Sequence, residues 1–272
     1  MGISTLVVHI DHARTVSARL SAALVFAADF DAHLTGFYVK PSTPYAYAGT
    51  AVVDAQTYLK LQADIEAEAR EAREAFERAA EAASATVQWR QVVANDRETE
   101  LALVARTTDI LFSGQYDRDD PRSPNSGICG ELALTAGRPI VQIPHAMTKS
   151  KFGRRILIAW NGSREAARAV SDALPVLVRA DDVTVLTVNT LSPSQACAES
   201  LIQYLAAHGI KASHRQEMGV DPGGTILAIA GDMDSDLIVA GAYGHSRARE
   251  FILGGVTNTL LAEANVPVMM SH

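Results

Sequence analysis

Three glycines, Gly241, Gly244 and Gly254, punctuate one stretch near the C-terminus, with Arg247 and Arg249 between them. An apolar run from Asp236 to Ala240 leads into the stretch, and a helical pattern from Val256 to Ala264 leads out. The chemistry available to such a strand–loop–helix junction is anion holding. Glycines let the backbone come close, free N–H groups converge, and the helix N-terminus adds partial positive charge. A turn that only closes a strand–helix connection can use the same residue types, so spacing alone leaves both readings open.

Composition narrows the class. The chain has 272 residues, 48% of them hydrophobic, enough for one large or two ordinary domains. A net charge of -7 and a pI near 5.6 argue against bulk nucleic-acid or anionic-membrane binding, which want a basic face. No apolar run reaches the length of a membrane span. The opening Met1-Gly-Ile-Ser-Thr-Leu-Val-Val reads as a strand, with neither the basic start nor the cleavage site of a signal peptide. Two cysteines far apart, Cys129 and Cys197, make no disulfide framework and no zinc pattern, so a reducing cytoplasm is the simplest home.

The elements that must position the glycine stretch repeat along the chain. Strands are predicted at 4–10, 33–39, 86–93, 109–113 and 139–143, and again at 155–160, 183–188, 212–217, 237–240 and 266–270. Amphipathic helices alternate with them, including a long charged one from about Ala55 to Ala83. His9-Ile10-Asp11 aligns with Ala159-Trp160-Asn161 at an offset of 150, and Asp109–Gly114 with Asp236–Gly241 at 127. The first copy therefore carries an insertion of 23 residues after its second strand, where Pro41–Asp54 brings Tyr45 and Tyr47. The polar segment 144–153 reads as a linker, dividing the chain into domains 1–148 and 149–272. The fold class is α/β: two repeated domains, each a five-stranded parallel open sheet with helices on both faces, Rossmann-like. Ligands in such sheets bind at the C-terminal strand ends, near the switch in strand order.

The duplicated pattern and the spacing Gly, two residues, Gly, nine residues, Gly resemble the universal stress protein family in its tandem form, over essentially the whole chain. The family closes that motif with Ser or Thr; Gly255 stands there instead and keeps only the backbone N–H. The resemblance implies ATP or a related adenine nucleotide on the second domain, with Mg²⁺ or Mn²⁺ on its phosphates. By position it implies Asn161 near the nucleoside, Val188 at the adenine and Val220, with Pro222, in the loop after the third strand. The phosphates would meet Gly241, Gly244, His245, Arg247, Gly254, Gly255 and Val256, and Thr257 could supply the missing hydroxyl. Ser163 could face the pocket, though capping the next helix suits it better. Trp160 suits base stacking or core packing, and His245 suits the phosphates or solvent. The family also implies pairing of domains through their last strands, here within one chain as a pseudo-dimer. A homodimer of whole chains and a protein partner stay open.

The first domain keeps the loop's register without its chemistry: Gly114, two residues, Asp117, nine residues, Gly127, then Ile128. Asp117, Asp119 and Asp120 would repel phosphates unless a cation intervened, so this half is not expected to bind ATP in the family's manner. Residues 1–148 carry 13 Lys and Arg against 19 Asp and Glu, while the rest are nearly balanced at 11 and 12. Asp11 ends a strand where it could cap a helix or hold a ligand. Cys129 opens a predicted helix, where an exposed thiol is activated and a packed one is inert. With no evident general base or nucleophile, the first expectation is a stress-response binding protein, at most a slow ATPase. The alternative is a stress protein that takes no nucleotide and binds partners as a pseudo-dimer scaffold. A nucleotide-activating or dinucleotide enzyme lacks its glycine signatures after either first strand.

Overall fold

The computed structural model describes residues 2–11, 16–42, 54–120, 123, 128–145, 147, 149–189, 197–243 and 255–272. The first half runs β1 (Thr5–Ile10), α1 (Val16–Phe30), β2 (His33–Lys40), α2 (Ala55–Ala82), β3 (Val87–Val93), α3 (Arg97–Ala105), β4 (Ile110–Gly114), α4 (Ile128–Thr135) and β5 (Ile140–Ile143). The second repeats it: β6 (Arg155–Ala159), α5 (Arg164–Leu177), β7 (Asp182–Val188), α6 (Ala198–Ala207), β8 (Ser213–Glu217), α7 (Pro222–Asp232), β9 (Leu237–Gly241), α8 (Val256–Glu263) and β10 (Val268–Ser271).

All ten strands form one sheet in the order β3-β2-β1-β4-β5-β10-β9-β6-β7-β8. Pairing is parallel throughout each half and antiparallel only at the seam, where Val268 faces Gln142 and Met270 faces Ile140. Two five-stranded parallel halves thus meet through their last strands, as the repeat and the resemblance imply. In each half the chain winds outward over three strands and then crosses back. That crossing places a switch in strand order between β1 and β4, and another between β6 and β9.

Near-continuous apolar strands follow from burial of both sheet faces. One apolar layer holds Phe26, Phe112, Ile158, Val170 and Leu205, and the other holds Leu101, Leu132, Ile226 and Leu260. Each layer draws on both halves. The segment expected to be a polar linker contributes to this core. Phe152 is buried and stacks on Phe26 at 5.4 Å between ring centroids, with Phe112 edge-on at 6.4 Å. Burying one such ring is worth about 1.5–3 kcal/mol, enough to fix the connection in place.

Helix α7 begins three residues earlier than the apolar pattern indicated. Pro222 occupies its first turn, and the Asp221 carboxylate accepts the Gly223 N–H at 3.1 Å. Proline at that position has a pre-set φ and lacks only an N–H that the helix leaves unpaired, so the turn-like residues Asp-Pro-Gly-Gly start a helix. Among the described residues no helix is long and apolar enough to cross a membrane.

Candidate functional site

In the second half, β6, β7, β8 and β9 all end on one edge of the sheet, and α5, α7 and α8 start there. Ala159 pairs with Ala240, so Asn161 and Ala242 lie level across the switch. The exposed Asn161 accepts the Ser163 N–H at 3.0 Å through its side-chain oxygen, and its N–H₂ group is a donor by type. Ser163 caps α5, its hydroxyl accepting the Ala166 N–H at 3.1 Å. Val188 ends β7 half-buried, and Val220 is fully exposed on the loop after β8. Trp160 turns away from the switch. It packs on the apolar layer under α5 and α6 and lines a cavity of about 480 Å³ with Leu201 and Tyr204.

The glycine-led junction is described at its two ends. Gly241 sits where β9 meets α5: an ideal Cβ there would lie 2.5 Å from the Ala166 nitrogen and 2.6 Å from the Glu165 carbonyl carbon. Its lack of a side chain is therefore explained by close backbone approach. Gly255 is the N-cap of α8 and, having no side chain, caps nothing. Val256 is half-buried, and Thr257 is buried with its hydroxyl accepting the Tyr243 N–H at 3.1 Å. Gly244, His245, Arg247 and Gly254 lie outside the described residues, as do Tyr45, Tyr47 and Gly127.

Two residues here carry no motif signal. Asn189 follows β7 with a φ of 56°, a left-handed value that Asn tolerates better than most residues. Its side chain accepts the Gly219 N–H at 2.9 Å and donates to the Gly219 carbonyl, clamping the loop that presents Val220. Glu165 is buried in the first turn of α5. Burial pushes its carboxyl up, but its own backbone N–H and the Arg164 guanidinium 2.9 Å away outweigh that and hold it below the usual range.

The equivalent switch of the first half is filled from within. Arg19 is 1% exposed and reaches from α1 over the end of β4, so that an ideal Cβ on Gly114 would lie 2.5 Å from its Nη1. Its Nη2 meets Asp11 Oδ1 at 2.6 Å. Asp11 is thus half of a buried ion pair. His9 lies 3.7 Å from the same carboxylate. Burial lowers its pKa to about 3 against the pull of Asp11, with Arg19 and Arg97 acting in the same direction as burial, so His9 is neutral. Cys129 donates to the Gly114 carbonyl at 3.4 Å, and burial pushes its thiol up to about 11, so this helix-start cysteine is inert. At the offset of 150, the residue matching Arg19 is Ala169.

A doubly wound α/β pair, with a buried ion pair at one switch point and a glycine-led junction at the other, defines a protein of two repeated parallel α/β halves. The family follows from comparison. Residues 153–272 match the universal stress protein family. A universal stress protein from Archaeoglobus fulgidus DSM 4304 superposes with a TM-score of 0.76 at 18% identity, over 98% of this chain and 97% of that one. A functionally unknown protein from Pseudomonas aeruginosa PAO1 gives 0.62 at 16% identity, over 99% and 92%. No curated protein matches the chain. The second half is a universal stress protein domain, and the first half repeats its fold.

Proposed function

We propose that the second half binds ATP or a related adenine nucleotide between the ends of β6 and β9, and that the protein works as a stress-response binding or regulatory protein. The Asn161 amide meets the nucleoside, while the Val188 backbone and the exposed Val220 flank the base. Gly241, Gly244, Gly254 and the N–H groups of Gly255, Val256 and Thr257 surround the phosphates, with His245 and Arg247 supplying further donors. Among the described residues no group of three or more His, Cys, Asp or Glu stands close enough to hold a metal ion. Mg²⁺ or Mn²⁺ in this reading rides on the phosphates.

The observation that carries the reading is the start of α8. Asp54, Asp96, Ser163 and Asp221 each cap a helix with a side-chain oxygen, whereas Gly255 offers none. The Asn258 N–H bonds the Gly255 carbonyl, and among the described residues no side-chain oxygen caps the Val256 and Thr257 N–H groups, which stand at a switch point where an anion would satisfy them. The test is the melting temperature in millimolar MgATP, which mass action raises if the native state binds. Gly244→Asp, copying Asp117, abolishes the rise, and Asp117→Gly leaves it intact. No rise for the unaltered protein, together with no nucleotide released from it on denaturation, rejects the reading.

A second reading is a scaffold that takes no nucleotide, and it rests on Gly255, which lacks the hydroxyl that the family carries there. The Thr257 hydroxyl accepts the Tyr243 N–H and keeps its own proton to donate. The same melting experiment separates the two.

A further inference from the structure

The residue that opens the second half's loop is seated on the first half. Tyr243 has a φ of 55°, a left-handed conformation that is unfavourable for a bulky residue and persists only where the surroundings impose it. Its N–H is held by Thr257, and its hydroxyl donates to Asn258 Oδ1 at 3.2 Å. Both partners lie in the first turn of α8. The ring rests against α4 of the first half at Gly130. An ideal Cβ on Gly130 would overlap the Tyr243 hydroxyl and lie 3.2 Å from Cζ and 3.4 Å from the Leu261 side chain. Gly130 keeps an ordinary helical φ, so the helix itself would accept alanine, and the Tyr243 hydroxyl would have to shift to make room for it.

The other end of α8 is also held across the seam. Gln115 donates to the Leu261 and Ala264 carbonyls at 3.2 and 3.1 Å, and Gln142 donates to Leu261 at 2.7 Å. Both glutamines are buried. The wall behind Gly130 is itself rigid: Cys129 bonds the Gly114 carbonyl, and Gly114 lies under the buried Arg19–Asp11 pair.

We propose that the first half is a positioning platform for the second half's ligand site. The notch at Gly130 fixes Tyr243, and Tyr243 fixes where the loop leaves β9 relative to the N–H groups of α8. Tyr243 and Gly130 are positioning residues, and their effect on ligand rests on the nucleotide reading above.

The test compares the full-length protein with Gly130→Ala, Tyr243→Phe and the double variant. Two quantities are measured: amide hydrogen exchange without ligand, and affinity for MgATP. In Gly130→Ala the new methyl group displaces the tyrosine. Exchange in peptides covering 241–263 then accelerates by roughly tenfold or more, MgATP affinity falls by a similar factor, and exchange in β1 and β4 is unchanged. Removing the hydroxyl relieves the overlap, so the double variant returns to the Tyr243→Phe level in both measurements. Unchanged exchange in Gly130→Ala overturns the platform, and so does an acceleration that the double variant fails to reverse. An unaltered protein that takes up no MgATP rejects the nucleotide reading instead, while the exchange data still decide the platform.

Discussion

Arg19 and Ala169 occupy matching places in the two halves at the offset of 150, and a buried guanidinium stands at the first half's switch point where the second half has a methyl group. A guanidinium buried against a carboxylate costs desolvation that only a well-placed partner offsets. Arg19→Ala should therefore destabilise the protein by about 3–5 kcal/mol, read from urea denaturation, because it leaves the Asp11 charge buried without its guanidinium. Replacing both residues by apolar ones of similar size, Arg19→Met with Asp11→Leu, should restore most of that loss. A negligible effect of Arg19→Ala would mean that the pair is solvated. Arg19 gave no signal in the sequence, since an arginine beside Val16, Leu20 and Leu24 in a helix reads as a solvated face. The ends of Gly241–Thr257 were legible because glycine spacing is local. The seat of Tyr243 on Gly130 was not, because it joins residues far apart in sequence through a seam that no local pattern encodes.

At the scale of elements, strand and helix positions followed from apolar periodicity nearly everywhere, since sheet faces covered on both sides demand it. The start of α7 was missed because Pro and Gly read as loop punctuation when taken without the capping carboxylate of Asp221. The glycines of the loop also divide by element. Gly241 belongs to the contact between β9 and α5, where the neighbours are backbone atoms that cannot rotate away. Gly241→Ala should thus lower stability by about 1–3 kcal/mol in urea denaturation whether or not ligand is present. Gly244→Asp should instead leave the ligand-free midpoint unchanged and remove the response to MgATP. Equal loss of stability in both variants would contradict that division.

For the whole molecule, the two apolar layers each run through both halves, and Phe152 fastens the connection to the first. The chain should therefore unfold in one cooperative transition, with calorimetric and van't Hoff enthalpies in agreement. Two resolved transitions would show that the halves are energetically separate. The antiparallel seam between β5 and β10 has a further consequence. Two separate copies meeting through such strands would part on dilution, as any bimolecular equilibrium does. Within one chain each last strand faces the other at an effective concentration on the order of millimolar, set by the tether and not by the amount of protein. Pairing here is consequently indifferent to expression level, and the two unlike halves stay at one to one however scarce the protein becomes.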